Sequence, residues 1–213
     1  MLNNFESFDN SETATKKDIV IQERVELVAS LMYKQFLDYQ HATVNANEVF
    51  NRMIDCLDLV ANNLKQSFSS RGVTTQNIYA EADALKSTVV MNILWHKISF
   101  TTRCNAQPQA LYRKDRRHIY SNRIIAVQGN YHDLVKDAKD HEEEMKILLE
   151  NEIASLYVPS EQTERCVFKI KHSSQEYTIN QIDAPREVVL KVIEIVCGDD
   201  LFHQDGYVKT ITV

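Results

Sequence analysis

The scarcity of glycine and proline constrains the fold more than any other feature of this chain. Its 213 residues include only four glycines and three prolines. Tight turns depend on these residues, because glycine tolerates positive φ and proline fixes φ in advance. A barrel or sandwich needs many such turns, and so the composition favours long helices with few connections. The length allows one large domain, or a main domain with a smaller one.

Apolar residues recur at three- and four-residue steps along three early segments, which is the spacing of one helix face. The first run comprises Ile21, Val25, Val28, Met32 and Phe36. The second extends over residues 50–64 and ends at Gly72, and the third covers residues 78–96. These runs predict three helices.

Residues 111–127 are compatible with two types of secondary structure. HIYSNRIIAV within it is compatible with a strand, but the wider stretch places apolar and basic residues on opposite sides of a helix. Gly129 and Asn130 then provide a helix stop and a new N-cap. A long acidic helix is predicted to follow over residues 131–156, which makes about five helices in all.

The periodicity changes to that of strands after Pro159. Residues 166–170 and 176–182 alternate as strands, a helix begins at Pro185 and ends at Gly198, and residues 207–213 alternate again. We therefore predict an α+β protein, mainly an α-helical bundle of about five helices with a small C-terminal ββαβ module. The predicted domains are a flexible N-terminus at 1–14, the bundle at 15–156 and the α+β module at 160–213.

Charge and cysteine usage narrow the functional classes. A formal net charge of −6 argues against a nonspecific nucleic-acid coat, although it allows a local basic patch. The four cysteines are scattered and form no C-x-x-C pair, which is typical of a reduced protein. We see no signal peptide and no apolar run of about 20 residues, and so we expect a cytoplasmic protein without a membrane span.

Signatures of common catalytic sites are missing from the sequence. It has no glycine-rich phosphate loop, no Gly-x-Ser-x-Gly and no His-Glu-x-x-His. Three Asp-x-x-His spacings, at Asp38, Asp115 and Asp200, are better explained as surface pairs than as metal ligands. On these absences we expect no metal, no cofactor and no enzymatic activity.

The basic residues of the fourth predicted helix form the candidate binding site. It consists of Arg113, Arg116, Arg117, Tyr120 and Arg123. Arginines can grip phosphates while a tyrosine stacks on a base. The sequence thus predicts a regulatory or adaptor protein that binds a protein partner or RNA/DNA through this helix. A homodimer is compatible with this prediction. Pairing of the same arginines with the acidic helix 131–156 is the competing interpretation.

Arg113 and His118 have an Arg-x4-His spacing in this basic segment. The spacing resembles the signature of the HEPN ribonucleases, which are helical bundles. The resemblance covers six residues and implies a metal-independent ribonuclease in which His118 is the acid/base and Arg113 stabilises the charge of the transition state. This is the alternative function, and it predicts that His118→Ala eliminates cleavage of single-stranded RNA in the presence of chelator.

Overall fold

The computed structural model describes residues 10–103, 109–112, 118–173 and 176–198, and side chains within 19–103, 120–173 and 176–198. Within these ranges the chain forms four helices and eight strands. The helices are α1 (Asn10–Ser69), α2 (Tyr131–Val135), α3 (His141–Glu150) and α4 (Ala184–Cys197). The strands are β1 (Ile78–Ala82), β2 (Thr88–Ile93), β3 (His96–Thr101), β4 (Gln109–Tyr112), β5 (His118–Gln128), β6 (Glu152–Pro159), β7 (Cys166–Ile170) and β8 (Glu176–Ile179).

The strands form one antiparallel sheet. Its order is β1-β2-β3-β5-β6-β7-β8, and β4 pairs with β5 beside this path. Strands that are neighbours along the chain are also mostly neighbours in the sheet, which is typical of a meander of hairpins. The central strand β5 pairs with β3, β4 and β6.

Each face of the sheet is covered differently. Ile124 and Ala126 of β5 belong to the larger core, where the sheet packs against α4 and the part of α1 that follows Ala42. Ile125 and Val127 point to the opposite face and pack against Tyr131 and the helices α2 and α3. The alternation follows from the two-residue period of a strand. β5 is thus buried on both faces from Ser121 to Val127.

The chain divides into two compact units, Met1–Asp38 and Tyr39–Val213. The described side chains of the first unit belong to the N-terminal part of α1, and they are largely exposed. The sheet and its covering helices belong to the second unit. None of the helices in the described ranges combines the length and apolarity needed to cross a membrane.

The α+β class is confirmed, but the predicted five-helix bundle with a ββαβ module is wrong. The first two predicted helices are one continuous helix, α1, and the third is the meander β1–β2–β3. The turns of this meander need no glycine, since Lys86 and Leu94 adopt positive φ of 49° and 57°. Low glycine content therefore did not exclude hairpins, because ordinary residues accept the left-handed conformation at these turns.

The predicted helices over 111–127 and 131–156 are also wrong. The first segment contains the end of β4 and nearly all of β5, so its strand alternative for residues 118–127 is confirmed. The second contains α2, α3 and most of β6, and a turn with Asp140 as the N-cap of α3 interrupts it. The predicted N-cap at Asn130 is confirmed, because its side chain accepts a hydrogen bond from the His132 backbone N–H.

Three elements of the C-terminal prediction occur in the structure. They are the strands β7 and β8 and the helix α4, which has Pro185 in its first turn and Gly198 as its C-cap. β7 and β8 extend the main sheet instead of forming a separate ββαβ sheet. The strand predicted over residues 207–213 lies outside the described residues.

Candidate nucleic-acid interface

The basic segment lies at a β-hairpin instead of on a helix. Strand β4 pairs with the start of β5, with Tyr112 opposite His118 and Gln109 opposite Ser121. Residues 113–117 join these two strands along the chain and contain four cationic residues and one aspartate. A two-stranded ribbon therefore holds both ends of the most basic segment of the chain.

This ribbon reaches past the neighbouring strands. Pairing with β6 begins at Ser121, and pairing with β3 begins only at Ile125. The last contact on the β6 side is the Ser160 backbone N–H donating to the Tyr120 carbonyl at 2.9 Å. Among the described residues, His118 and Ile119 are therefore paired with β4 alone. We refer to β4 together with residues 118–121 as the ribbon.

Hydrogen bonds from α1 hold the base of the ribbon. The Asn45 side chain is buried and donates to the carbonyls of Pro159 and Ser160, both at 2.9 Å. The Asn122 side chain, also buried, donates to the Thr43 hydroxyl at 3.1 Å. Buried amides with satisfied hydrogen bonds fix the geometry of their surroundings, because leaving them unpaired is costly. The ribbon thus extends from a rigid part of the sheet.

The structure separates the candidate binding residues into three groups. Arg113, Arg116 and Arg117 lie outside the described residues. Tyr120 is half-buried on the face of β5 that Asn122 shares, whereas Arg123 points to the other face. The single basic helix face predicted from the sequence is therefore wrong. In a strand, successive side chains point to opposite faces of the sheet, so Tyr120 and Arg123 lie on different faces.

Arg123 lies in an internal ion pair. Its guanidinium is 2.8 Å from the Glu152 carboxylate and donates to the Ser155 hydroxyl at 2.7 Å. The Arg123 residue is 7% exposed, and its guanidinium carbon lies 5.7 Å from the centre of the Tyr157 ring. The basic charge of Arg123 is therefore paired with Glu152 inside the packed sheet. The other cationic residues of the segment lie at positions 113–117 of the sequence.

The helical fold that the HEPN resemblance implies is wrong for this segment. His118 begins strand β5, with its side chain outside the described residues, as is the whole of Arg113. The predicted hairpin of a fourth helix and an acidic fifth helix is wrong too, because neither helix exists as predicted. The pairing with the acidic segment is confirmed for Arg123, which contacts Glu152. In the described chain, Glu143 instead accepts from the Lys139 backbone N–H, and the Asp140 side chain caps α3.

A second polar cluster was missed in the sequence because its residues are far apart along the chain. The Arg103 guanidinium donates to the Ser87 hydroxyl at 2.8 Å and to the Asp83 carboxylate at 3.2 Å, and it lies over the Tyr131 ring. The Tyr131 hydroxyl donates to the Glu144 carboxylate. These contacts join the β1–β2 turn and the end of β3 to the helices on that face.

Protonation in this cluster follows from its contacts. Burial and then the hydrogen bond and charge of Glu144 raise the pKa of Tyr131 to about 12, so that its hydroxyl remains a donor at neutral pH. Burial acts to raise the pKa of Asp83, but hydrogen bonds from Ser87 and Thr88 and the charge of Arg103 outweigh it, and the pKa is lowered. The cluster is thus a structural contact between groups of opposite charge.

The described part of the chain contains no group of three His, Cys, Asp or Glu side chains that could hold a metal ion. Comparison of the sequence and structure with protein-family models, curated proteins and solved structures gave no significant match. The chain's own geometry therefore carries the functional interpretation.

Proposed function

We propose that this protein is a non-enzymatic regulatory or adaptor protein that binds nucleic acid through the ribbon and the basic residues 113–117. The observation that carries the proposal is the position of four cationic residues between two paired strands that extend past the rest of the sheet. The anchored base supports it, since a rigid support lowers the entropy lost on binding.

The shape of the ribbon favours duplex DNA as the partner. The major groove of B-form DNA is about 12 Å wide and admits a two-stranded β-ribbon, whereas that of A-form RNA is too deep and narrow for side chains to read. Arginine suits this role, because its planar guanidinium binds phosphates and guanine edges with two hydrogen bonds. Arg113, Arg116 and Arg117 are the residues to which we assign binding.

Charge also favours nucleic acid over a protein partner. The chain is acidic overall, with a formal net charge of −6. A dense cationic segment in such a chain concentrates positive potential in one place, which attracts a polyanion and orients the remainder of the protein away from it. A protein partner with an acidic surface, and the homodimer predicted from the sequence, are compatible with this role.

Fluorescence anisotropy of a labelled DNA duplex tests the proposal directly. We expect the variant Arg113→Glu/Arg116→Glu/Arg117→Glu to bind at least about tenfold more weakly than the wild type at low salt, because it replaces phosphate contacts by repulsion. The matched control is Arg71→Glu/Lys136→Glu/Lys139→Glu. It changes three exposed cations elsewhere and has the same net charge.

Equal weakening by both triple variants would contradict the proposal, since net charge alone would then explain binding. Absence of DNA binding by the wild type at low salt would also contradict it and would direct attention to an acidic protein partner. The ribonuclease alternative stays a prediction. It is tested in parallel by comparing wild type and His118→Ala for cleavage of labelled single-stranded RNA in the presence of chelator.

A further inference from the structure

The first part of α1 exposes an unusual amount of apolar surface. Ten large apolar side chains between residues 19 and 36 are each about half or more exposed. Exposed apolar patches larger than a few hundred Å² mark interaction surfaces, whereas scattered apolar residues do not. The ten side chains are Ile19, Val20, Ile21, Val25, Leu27, Val28, Leu31, Met32, Tyr33 and Phe36.

Five of these side chains form one continuous stripe. They are Ile21, Val25, Val28, Met32 and Phe36, which we call the seam, and their exposed fractions range from 53% to 64%. The first four follow the alternating four- and three-residue steps of a heptad, the pattern by which α-helices pack against each other in coiled coils. A shallow groove with an apolar surface follows the seam, and Arg24 and Ala29 complete its lining.

The same heptad register continues along α1, where it is buried. Ala42, Ala46, Val49 and Met53 continue the steps of the seam, and each is fully buried in the unit that contains the sheet. In that unit the sheet covers the apolar stripe of α1. The seam has the same pattern and register, but no described residue covers it.

The area of the seam matches what a dimer of this chain requires. A side chain of this size carries on the order of 100 Å² of apolar surface. Two seams packed together therefore bury about 1,000 Å², which is the lower limit of the area expected of a specific interface. At a rise of about 1.5 Å per residue, the helix from Ile21 to Phe36 spans about 24 Å, and so a single partner helix can cover the whole seam.

We propose that the seam binds the seam of a second copy of this chain, which forms a two-helix coiled coil. The seam consists of aliphatic and aromatic residues without a charge, and so like meets like without burying an ion. A two-fold interface needs such self-complementarity, because each residue of one copy meets its counterpart or a neighbour on the other. The proposal is independent of nucleic-acid binding by the ribbon.

Light scattering after size exclusion measures the mass of the purified full-length protein. We expect the wild type to have twice the chain mass of 24.6 kDa at micromolar concentration. Val25→Glu/Met32→Glu should reduce the mass to that of one chain, because two carboxylates would enter the apolar seam. The matched control, Ile19→Glu/Leu27→Glu, changes equally exposed apolar residues on the opposite side of the helix and should keep the dimer.

Thermal unfolding provides a second measurement that does not depend on how the variants fold. The midpoint of helix unfolding in the wild type should rise with protein concentration, because association stabilises the paired helices by mass action. A wild-type mass of one chain, or of more than two chains, would overturn the proposal. So would a dimer that survives Val25→Glu/Met32→Glu, or one that the control variant also dissociates.

Discussion

Arg123 stabilises the sheet, and its replacement tests that conclusion quantitatively. The Arg123 side chain is 8% exposed and the Glu152 side chain 15% exposed, so their ion pair is largely removed from water. Removing one partner of a buried ion pair leaves the other charge without compensation, which costs about 3–5 kcal/mol. Arg123→Met retains the aliphatic bulk of the side chain. It should therefore lower the free energy of unfolding by about 3 kcal/mol.

Lys169 provides the matched control for Arg123. Its ammonium also lies over the Tyr157 ring, at 5.5 Å, and pairs with Glu176 at 2.6 Å. The side chains of that ion pair are 40% and 57% exposed, and exposed pairs contribute about 0–1 kcal/mol because water screens them. Lys169→Met should therefore lower the free energy of unfolding by less than about 1 kcal/mol.

Urea denaturation followed by far-ultraviolet circular dichroism measures both variants. For a chain of this size, about 3 kcal/mol corresponds to a decrease in Tm of roughly 6–12 °C. Adding Glu152→Gln to Arg123→Met should recover part of the loss, because the uncompensated charge is removed. Equal losses for Arg123→Met and Lys169→Met, or a double variant whose losses simply add, would refute the assignment of the pair as a buried structural contact.

Three further predictions follow from the polar clusters, the turns and the cysteines. The pKa of Tyr131 is raised above its ordinary value of 10 to about 12, so its contribution to stability is full below pH 10 and declines as the pH rises towards 12. Urea titrations in that range should show a smaller decline for Tyr131→Phe, and an equal decline would refute the link. Lys86→Gly should increase the free energy of unfolding by up to about 1 kcal/mol, because glycine adopts the positive φ of this turn without strain. A decrease in the free energy of unfolding would contradict this prediction. Cys166 is fully buried, and burial raises the pKa of its thiol to about 12, so a thiol reagent should label it only after unfolding, whereas the exposed Cys197 reacts in the native protein. Peptide mapping of the labelled protein checks both sites.

The sequence predicted helix boundaries well where side-chain chemistry marked them. Gly72 lies just beyond the end of α1, Asn130 caps α2, and Pro185 lies in the first turn of α4. In each case a local residue preference agrees with the tertiary structure. The sequence predicted two helices within the continuous α1, because Ala42 and Ala46 separate the two runs of large apolar residues.

The central strands could not be predicted from periodicity, because several are buried on both faces. All six residues of β2 are buried, including Thr88 and Asn92. Such a strand shows no alternation of polar and apolar residues, and a short apolar run is then compatible with a buried helix as well. The positive-φ positions of the two turns hold Lys86 and Leu94, whereas glycine or asparagine would have marked them.

The candidate interface was found through charge, but its geometry required the structure. The basic run 113–117 is visible in the sequence, whereas the ribbon that presents it depends on the pairing of β4 with β5. Arg123 shows the limit of charge counting, because its partners Glu152 and Ser155 are about 30 residues further along the chain. Only strand pairing brings them together.

The salt dependence of DNA binding tests the central claim most directly. Each phosphate contact contributes about −0.9 to the slope of log K against log salt concentration. We predict a steep negative slope for the wild type. Arg113→Ala should reduce the magnitude of this slope by about one for each ribbon that binds DNA. Arg123→Met should leave the slope unchanged while lowering stability. A wild-type slope near zero, or a slope that responds to Arg123→Met but not to Arg113→Ala, would contradict binding through the ribbon.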